Sequence, residues 1–144
     1  MGCGSSSTVD AKKPGALIGK PTFSGDDTTV LFGGLLYRII NTNTHQWAFY
    51  NNSKDYEFHI QYLYGLDSDI QPLESTKMTK NDDGILCSCV VYPLETNMFI
   101  SGFPDGYESK LEALQLSEEY FAAHPTLDED AYYKRLAPPP AKDF

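Results

Sequence analysis

Positive charge is scarce in this sequence. Eleven Lys and Arg stand against twenty Asp and Glu, so the 144-residue chain has a formal net charge of −9 and a pI near 4.6. A surface of that sign repels phosphate backbones and acidic headgroups, which excludes nucleic acid as a partner. Cysteine is also scarce, with only Cys3, Cys87 and Cys89. No apolar h-region follows the start, and no apolar run approaches the roughly 20 residues of a spanning helix. The sequence thus predicts a chain neither exported nor threaded through a bilayer, with its thiols free in a reducing compartment. Asn51-Asn52-Ser53 fits the N-glycosylation pattern, which has no use without secretion.

Metal-binding and catalytic patterns are thin. His45, His59 and His124 are scattered, and no close CxxC or HxxxH pair occurs, so no metal and no cofactor is expected. The acidic stretches "GLDSDIQ" (65–71) and "TKNDDG" (79–84) approach the density of a calcium loop, but such stretches are commonly solvated turns. "LFGGLLY" lacks the glycine spacing of a phosphate-cradling loop. A cysteine hydrolase needs a thiolate beside an imidazole. Cys87 and Cys89, two apart in a strand, share one face, and His59 is predicted on an adjacent strand. The reading as two small core side chains is favoured, and no enzyme is expected.

What the chain does contain is β material. Aromatics make up 13%, with ten Tyr and eight Phe, and β-branched residues accompany them. "YEFHIQYLY" (56–64) alternates with Tyr56, Phe58, Ile60, Tyr62 and Tyr64 on one face, which is period 2 over nine residues. "TTVLF" (28–32), "LLYRII" (35–40), "QWAFYN" (46–51), "GILCSCVVYP" (84–93) and "TNMFISGF" (96–103) read as further strands, the last two placed to pair. At 109–124 two readings compete. Ser109 and Glu112 fit a helical capping box, and "EALQL" (112–116) fits a final strand. The favoured reading is extended chain to Leu116, then a short helix begun by Ser117, with Glu118 and Glu119 in its first turn and Pro125 ending it. A second helical turn fits 128–136. The expected fold is mainly β: an antiparallel β-sandwich with one or two short C-terminal helices, with a barrel as the rival. Tyr37, Trp47, Phe49, Tyr50, Phe58, Tyr62 and Tyr64 are expected mostly in the core, although a surplus would make an apolar face for a lipid or a partner protein.

Three regions follow. Residues 1–18 read as a flexible leash, too poor in apolar surface to order itself. Residues 19–136 read as the sandwich domain, and 137–144 as a proline-rich tail. The leash carries the one sharp motif. Met1-Gly2-Cys3-Gly4-Ser5-Ser6 satisfies the N-myristoylation pattern, in which Met1 is removed, the acyl chain joins the α-amine of Gly2, and Ser6 supplies the hydroxyl that is recognised. One myristoyl chain binds membrane reversibly, with a constant on the order of 10⁴ M⁻¹. A palmitoyl thioester on Cys3 makes the attachment durable. Charge explains the need for it. The first 21 residues carry a local +2, from Lys12, Lys13 and Lys20 against Asp10, which leaves −11 on the rest of the chain. The domain cannot hold an acidic leaflet by Coulomb attraction, so the inner leaflet is reached through acyl chains.

The ordered series "MGCGSSS", "GKPTFSG", "LLYRIIN", "QWAFYNNSKDYE", "VVYPLETNMFISG" and "SKLEALQLSEEY" resembles the small myristoylated proteins of kinetoplastid parasites, within the small kinetoplastid calpain-related proteins. The resemblance runs from residue 1 to about Tyr120. It implies a calpain-related β-sandwich without a protease domain, myristate on Gly2, palmitate on Cys3, and residence on the flagellar or plasma membrane, but it supplies no binding partner. The expected role is a monomeric, non-catalytic scaffold on the cytoplasmic face, where acylation places it, for proteins of the membrane or cytoskeleton. No calpain-type "CW" segment is present, and Trp47 follows Gln46. The alternative is a lipid- or fatty-acid-binding module with an exposed apolar groove.

Overall fold

The computed structural model describes residues 17–140. Nine strands form two antiparallel sheets that pack face to face. In chain order they are β1 (Asp27–Leu31), β2 (Leu36–Asn41), β3 (Gln46–Asn51), β4 (Tyr56–Tyr64), β5 (Asp69–Pro72), β6 (Lys77–Asn81), β7 (Gly84–Val91), β8 (Thr96–Phe103) and β9 (Tyr107–Gln115). The first sheet runs β1-β2-β3-β8-β5 and the second β6-β7-β4-β9. Each sheet keeps two edge strands, so the architecture is a sandwich and not a closed barrel. Two short helices follow, α1 (Glu118–Ala123) and α2 (Glu129–Arg135).

The core is the alternation of β4 made physical. Phe58, Ile60, Tyr62 and Tyr64 are buried and meet Leu36, Trp47, Phe49, Phe99 and Ile100 of the facing sheet. Burying each such side chain contributes about 1.5–3 kcal/mol. Cys87 and Cys89 lie opposite Tyr62 and Ile60 on β7, so they face inward too. All seven aromatics expected in the core are buried. A separate patch of Tyr37, Ile39, Tyr50 and Phe23 covers the outer face of the first sheet.

The strand expectations need three amendments. The pairing expected between 84–93 and 96–103 does not form, since β7 lies in one sheet and β8 in the other. Pro93 has no N–H to offer a ladder, and Leu94 at φ +59 turns the chain across the sandwich. The apolar residues of both strands then meet through the core. The strand expected at 28–32 ends at Leu31, because Phe32 takes φ +53 at the start of a 3-10 turn, Phe32–Gly34. The stretches read as acidic turns contain strands. Asp69 opens β5, and Lys77–Asn81 forms β6, closed on β7 by the two-residue loop Asp82-Asp83. One glycine is demanded by this pairing: Gly102 has φ +112, and a Cβ there would lie 2.2 Å from the Asp69 carbonyl oxygen.

The C-terminal reading holds. Ser117 caps α1 by accepting a hydrogen bond from the Tyr120 N–H, with Glu118 and Glu119 in the first turn. Asp128 caps α2 in the same way through Ala131 N–H. Leu116, Phe121 and Tyr132 form a small apolar cluster beneath the helices. The Tyr132 hydroxyl ties them to the sandwich, donating to the Asp55 carbonyl at 2.7 Å and accepting from Leu116 N–H at 3.0 Å.

Candidate functional site

Gly2, Cys3 and Ser6 lie outside the described residues. The described chain begins at Leu17, where Ile18 N–H donates to the Asn52 side-chain carbonyl at 2.9 Å.

The pair Cys87 and Cys89 does not meet His59. His59 lies opposite Val90 on β4, so its ring is on the outer face of the second sheet while both thiols face the core. Burial pushes the Cys87 thiol up to about 11 and the Cys89 thiol up to about 12. The folded state thus favours the neutral thiols, and the thiolates that react with electrophiles form only as pH climbs towards those values. At pH 8 on the order of one Cys87 in a thousand is ionised. In a Cys3→Ser variant, iodoacetamide at pH 8 is expected to leave the native protein unlabelled for hours and to label both thiols at once in denaturant. Fast native labelling would contradict the burial.

What His59 does meet is Glu57. Its Nε2 lies 2.6 Å from Glu57 Oε2. Both residues belong to the polar face of β4, yet Glu57 is only 3% exposed, because the start of α1 covers it. Ser117 N–H donates to Glu57 Oε1 at 2.9 Å. One buried carboxylate thus joins a strand face to a helix start, a contact across 60 residues that the alternation of β4 conceals.

The outer face around His59 is concave. A cavity of about 320 Å³ is lined by His59, Gln61, Ser75, Lys77, Ser88 and Tyr92, among others. A second hollow of about 300 Å³ lies between the helices and the sandwich, with Leu94, Leu116, Tyr120, Phe121, Leu127 and Tyr132 on its walls. The first is mixed, its polar side chains set among Ile60, Cys89 and Val90, and the second is mostly apolar. No group of three His, Cys, Asp or Glu side chains suited to a metal occurs among the described residues.

Arg38 makes a third arrangement. It interrupts the apolar run "LLYRII", and in the fold it points between the sheets. One Nη donates to the Tyr107 and Tyr62 hydroxyls at 2.9 and 3.2 Å, and the other to Thr29 Oγ1 at 3.2 Å. The guanidinium lies over the Trp47 ring, 5.1 Å from its centroid. Burial pushes the Tyr62 phenol up, against the pull of Arg38, so the cation is held by neutral hydroxyls and π faces. A lysine has no planar fork to hold the two phenols with one arm and Thr29 Oγ1 with the other. Arg38→Lys is expected to cost about 1–2 kcal/mol and to shift the emission of Trp47, read by denaturant titration with fluorescence. Unchanged stability and emission would contradict this role.

Residues 16–116 match a family described as Domain of unknown function (DUF1935). The chain belongs to this family. Two solved structures from Leishmania major resemble it. SMP-1, a small myristoylated protein studied by NMR, is 41% identical over 90% of this chain and 100% of its own, with a TM-score of 0.73. A hypothetical protein is 41% identical over 71% of this chain and 93% of its own, with a TM-score of 0.66. No curated protein matches. The family match stops at Leu116, the last residue before the α1 cap. The outer-face cavity, from His59 to Tyr92, therefore lies wholly inside the family domain, whereas most of the apolar hollow's helical wall lies beyond it.

Proposed function

We propose that this protein is a non-catalytic β-sandwich anchored to the cytoplasmic face of the flagellar or plasma membrane by myristate on Gly2 and palmitate on Cys3. There the domain serves as a calpain-related scaffold for proteins of the membrane or cytoskeleton. One observation carries the reading: the acylation pattern Met1-Gly2-Cys3-Gly4-Ser5-Ser6 stands on a chain 41% identical to a protein named for its myristoylation. Three further points support it. No helix among the described residues is long and apolar enough to cross a membrane, and the acidic domain has no Coulomb hold on an anionic leaflet. The two core thiols are turned away from His59. Mass spectrometry of the N-terminal peptide from native cells tests the reading directly. A peptide that begins at Gly2 with one C14 acyl amide and one C16 thioester is expected, and an unmodified Gly2 amine would end the proposal.

A second reading is favoured by the apolar hollow beneath the helices. Its walls of Leu94, Leu116, Tyr120, Phe121 and Leu127 suit an acyl chain, with Lys54 at hand for a carboxylate, Arg135 being paired to Asp55 at 2.8 Å. Titration with a fatty acid, followed by NMR, separates this module from a pure anchor: saturable shifts confined to these residues support it, and their absence counts against it.

A further inference from the structure

We infer that the cavity on the outer face of the β6-β7-β4-β9 sheet is a binding site for a phosphate monoester. The register of the four strands builds it. Lys77 of β6 lies opposite Ser88 of β7, Ser88 opposite Gln61 of β4, and Gln61 opposite Lys110 of β9. This is one continuous polar row with a lysine at each end. His59 stands in the next row, between Val90 and Glu112. Lys77, Ser88, Gln61 and His59, with Ser75 and Tyr92, line the hollow of about 320 Å³, a size at the lower end for small-molecule sites.

Two features mark this hollow as more than a polar surface. First, its donors are uncommitted. The Lys77 ammonium, the Gln61 amide and the hydroxyls of Ser88 and Tyr92 make no hydrogen bond or ion pair among the described residues. Second, the His59 ring is held in place. Glu57, buried and fixed by Ser117 N–H, takes Nε2, which leaves Nδ1 without a partner among the described residues. Such orientation by a carboxylate is how proteins position an imidazole for a ligand. The acids on this face are Glu108 and Glu112 of β9, at the far edge from Lys77, and Glu57 of β4, whose carboxylate is already engaged by His59 and the Ser117 N–H. A lysine without an acidic partner is notable on a domain so strongly negative.

The donor set selects the ligand. One ammonium, two hydroxyls, a carboxamide and an imidazole converge from three strands and the segments beside them. That suits a tetrahedral oxyanion with several acceptor oxygens. A planar carboxylate is better matched by the fork of an arginine, and none lines this site. A phosphate monoester could come from a phosphorylated lipid headgroup in the leaflet or from a soluble phosphorylated metabolite, and the chemistry at His59 and Lys77 is the same.

The full-length Gly2→Ala chain removes any contribution from an acyl anchor. Titrated with inositol monophosphate and followed by amide NMR, it is expected to show saturable shifts at His59, Gln61, Ser88 and Val90. Lys77→Ala, at an exposed edge position where the fold is not at stake, is expected to weaken binding by about tenfold, the usual worth of a hydrogen bond to a charged group. Phosphatidylcholine vesicles doped with phosphatidylinositol monophosphate identify the source. Cosedimentation that Lys77→Ala abolishes, and that phosphatidylserine at equal charge does not reproduce, assigns a lipid headgroup. Saturable shifts with soluble esters but no vesicle binding assign a metabolite. Shifts that are diffuse, that inorganic sulfate or acetate reproduces equally, or that survive Lys77→Ala unchanged would overturn the site. So would binding only to a phosphopeptide.

Discussion

Gly2→Ala is expected to move the protein from the membrane pellet to the soluble fraction entirely. The argument is one of bond chemistry and then of arithmetic. The acyl amide forms on the free α-amine of a glycine at position 2, and a methyl group on that carbon closes the transferase to it. In the proposed anchor, palmitate on Cys3 follows the membrane visit that myristate makes, so Gly2→Ala is expected to leave Cys3 unacylated as well. Myristate alone gives a partition constant on the order of 10⁴ M⁻¹, and nothing else in the chain replaces it, because the residues after position 21 carry −11. Cys3→Ala should behave differently. It keeps the single chain, so the protein should bind vesicles reversibly and wash off membranes that retain the wild type. Fractionation of cells expressing each variant, with mass spectrometry of the N-terminal peptide, gives the result. A Gly2→Ala protein that still sediments with membranes would sink the anchor reading while leaving the phosphate site open to its own test.

The second large effect lies at Asn51, and it concerns the fold. Asn51 is wholly buried. Its amide donates to the Tyr56 carbonyl at 2.8 Å and the Val91 carbonyl at 2.9 Å. Its side-chain oxygen accepts from Ser53 N–H at 3.0 Å and Ser53 Oγ at 2.7 Å. Two of these bonds tie the end of β3 to the start of β4 and the end of β7, which joins the two sheets at one corner, and the two from Ser53 fix the segment between β3 and β4. Asn51→Ala keeps the backbone but strips the buried Val91 carbonyl of that donor and leaves the part-buried Tyr56 carbonyl to Ser53 Oγ at 3.2 Å. Each lost partner costs about 1–3 kcal/mol, so a total of about 3–5 kcal/mol is expected. Against the 5–15 kcal/mol of a typical domain that is about a third or more, and Tm should fall by on the order of 10 °C. Urea titration should show a lower midpoint with an unchanged slope. Asn43→Ala, in the exposed β2–β3 turn, should stay within about 0.5 kcal/mol of wild type. Equal stability of the two variants would show that the corner network does not hold the sheets together. The same burial removes Asn51 from consideration as a glycan acceptor, whatever the pattern Asn51-Asn52-Ser53 allows.

Local sequence carried the strands that have one buried and one solvated face. β4 alternates, with Phe58, Ile60, Tyr62 and Tyr64 turned inward, and an alternation of period 2 has one physical cause, a pleated strand on a core. The start of α1 was legible too, because Ser117 caps it through a bond that spans only three residues; the cap at Asp128 is equally local, although the sequence by itself predicts only a helical turn over 128–136. β5 and β6 were not legible. Every residue of β6 is exposed, and an edge strand held by backbone bonds to a neighbour leaves no apolar period behind it. The partition of β7 and β8 between sheets was illegible for a related reason. Both have inward apolar residues, and only the turn at Pro93 and Leu94 decides whether they pair side by side or face each other across the core.

The division for function is similar. The sequence by itself carried the acylation pattern at Gly2, Cys3 and Ser6 and the sign of the domain's charge, since such a pattern is a short linear segment and net charge is a sum. Only the tertiary structure decided where Glu57, His59, Lys77 and Arg38 do their chemistry. Glu57 becomes buried because Ser117, sixty residues later, covers it. Lys77, Ser88 and Gln61 share a row because three strands pair in one register. Arg38 finds two phenols because the sheets converge there. These are long-range contacts set by the pairing of the whole sandwich, and no window of neighbouring residues contains them.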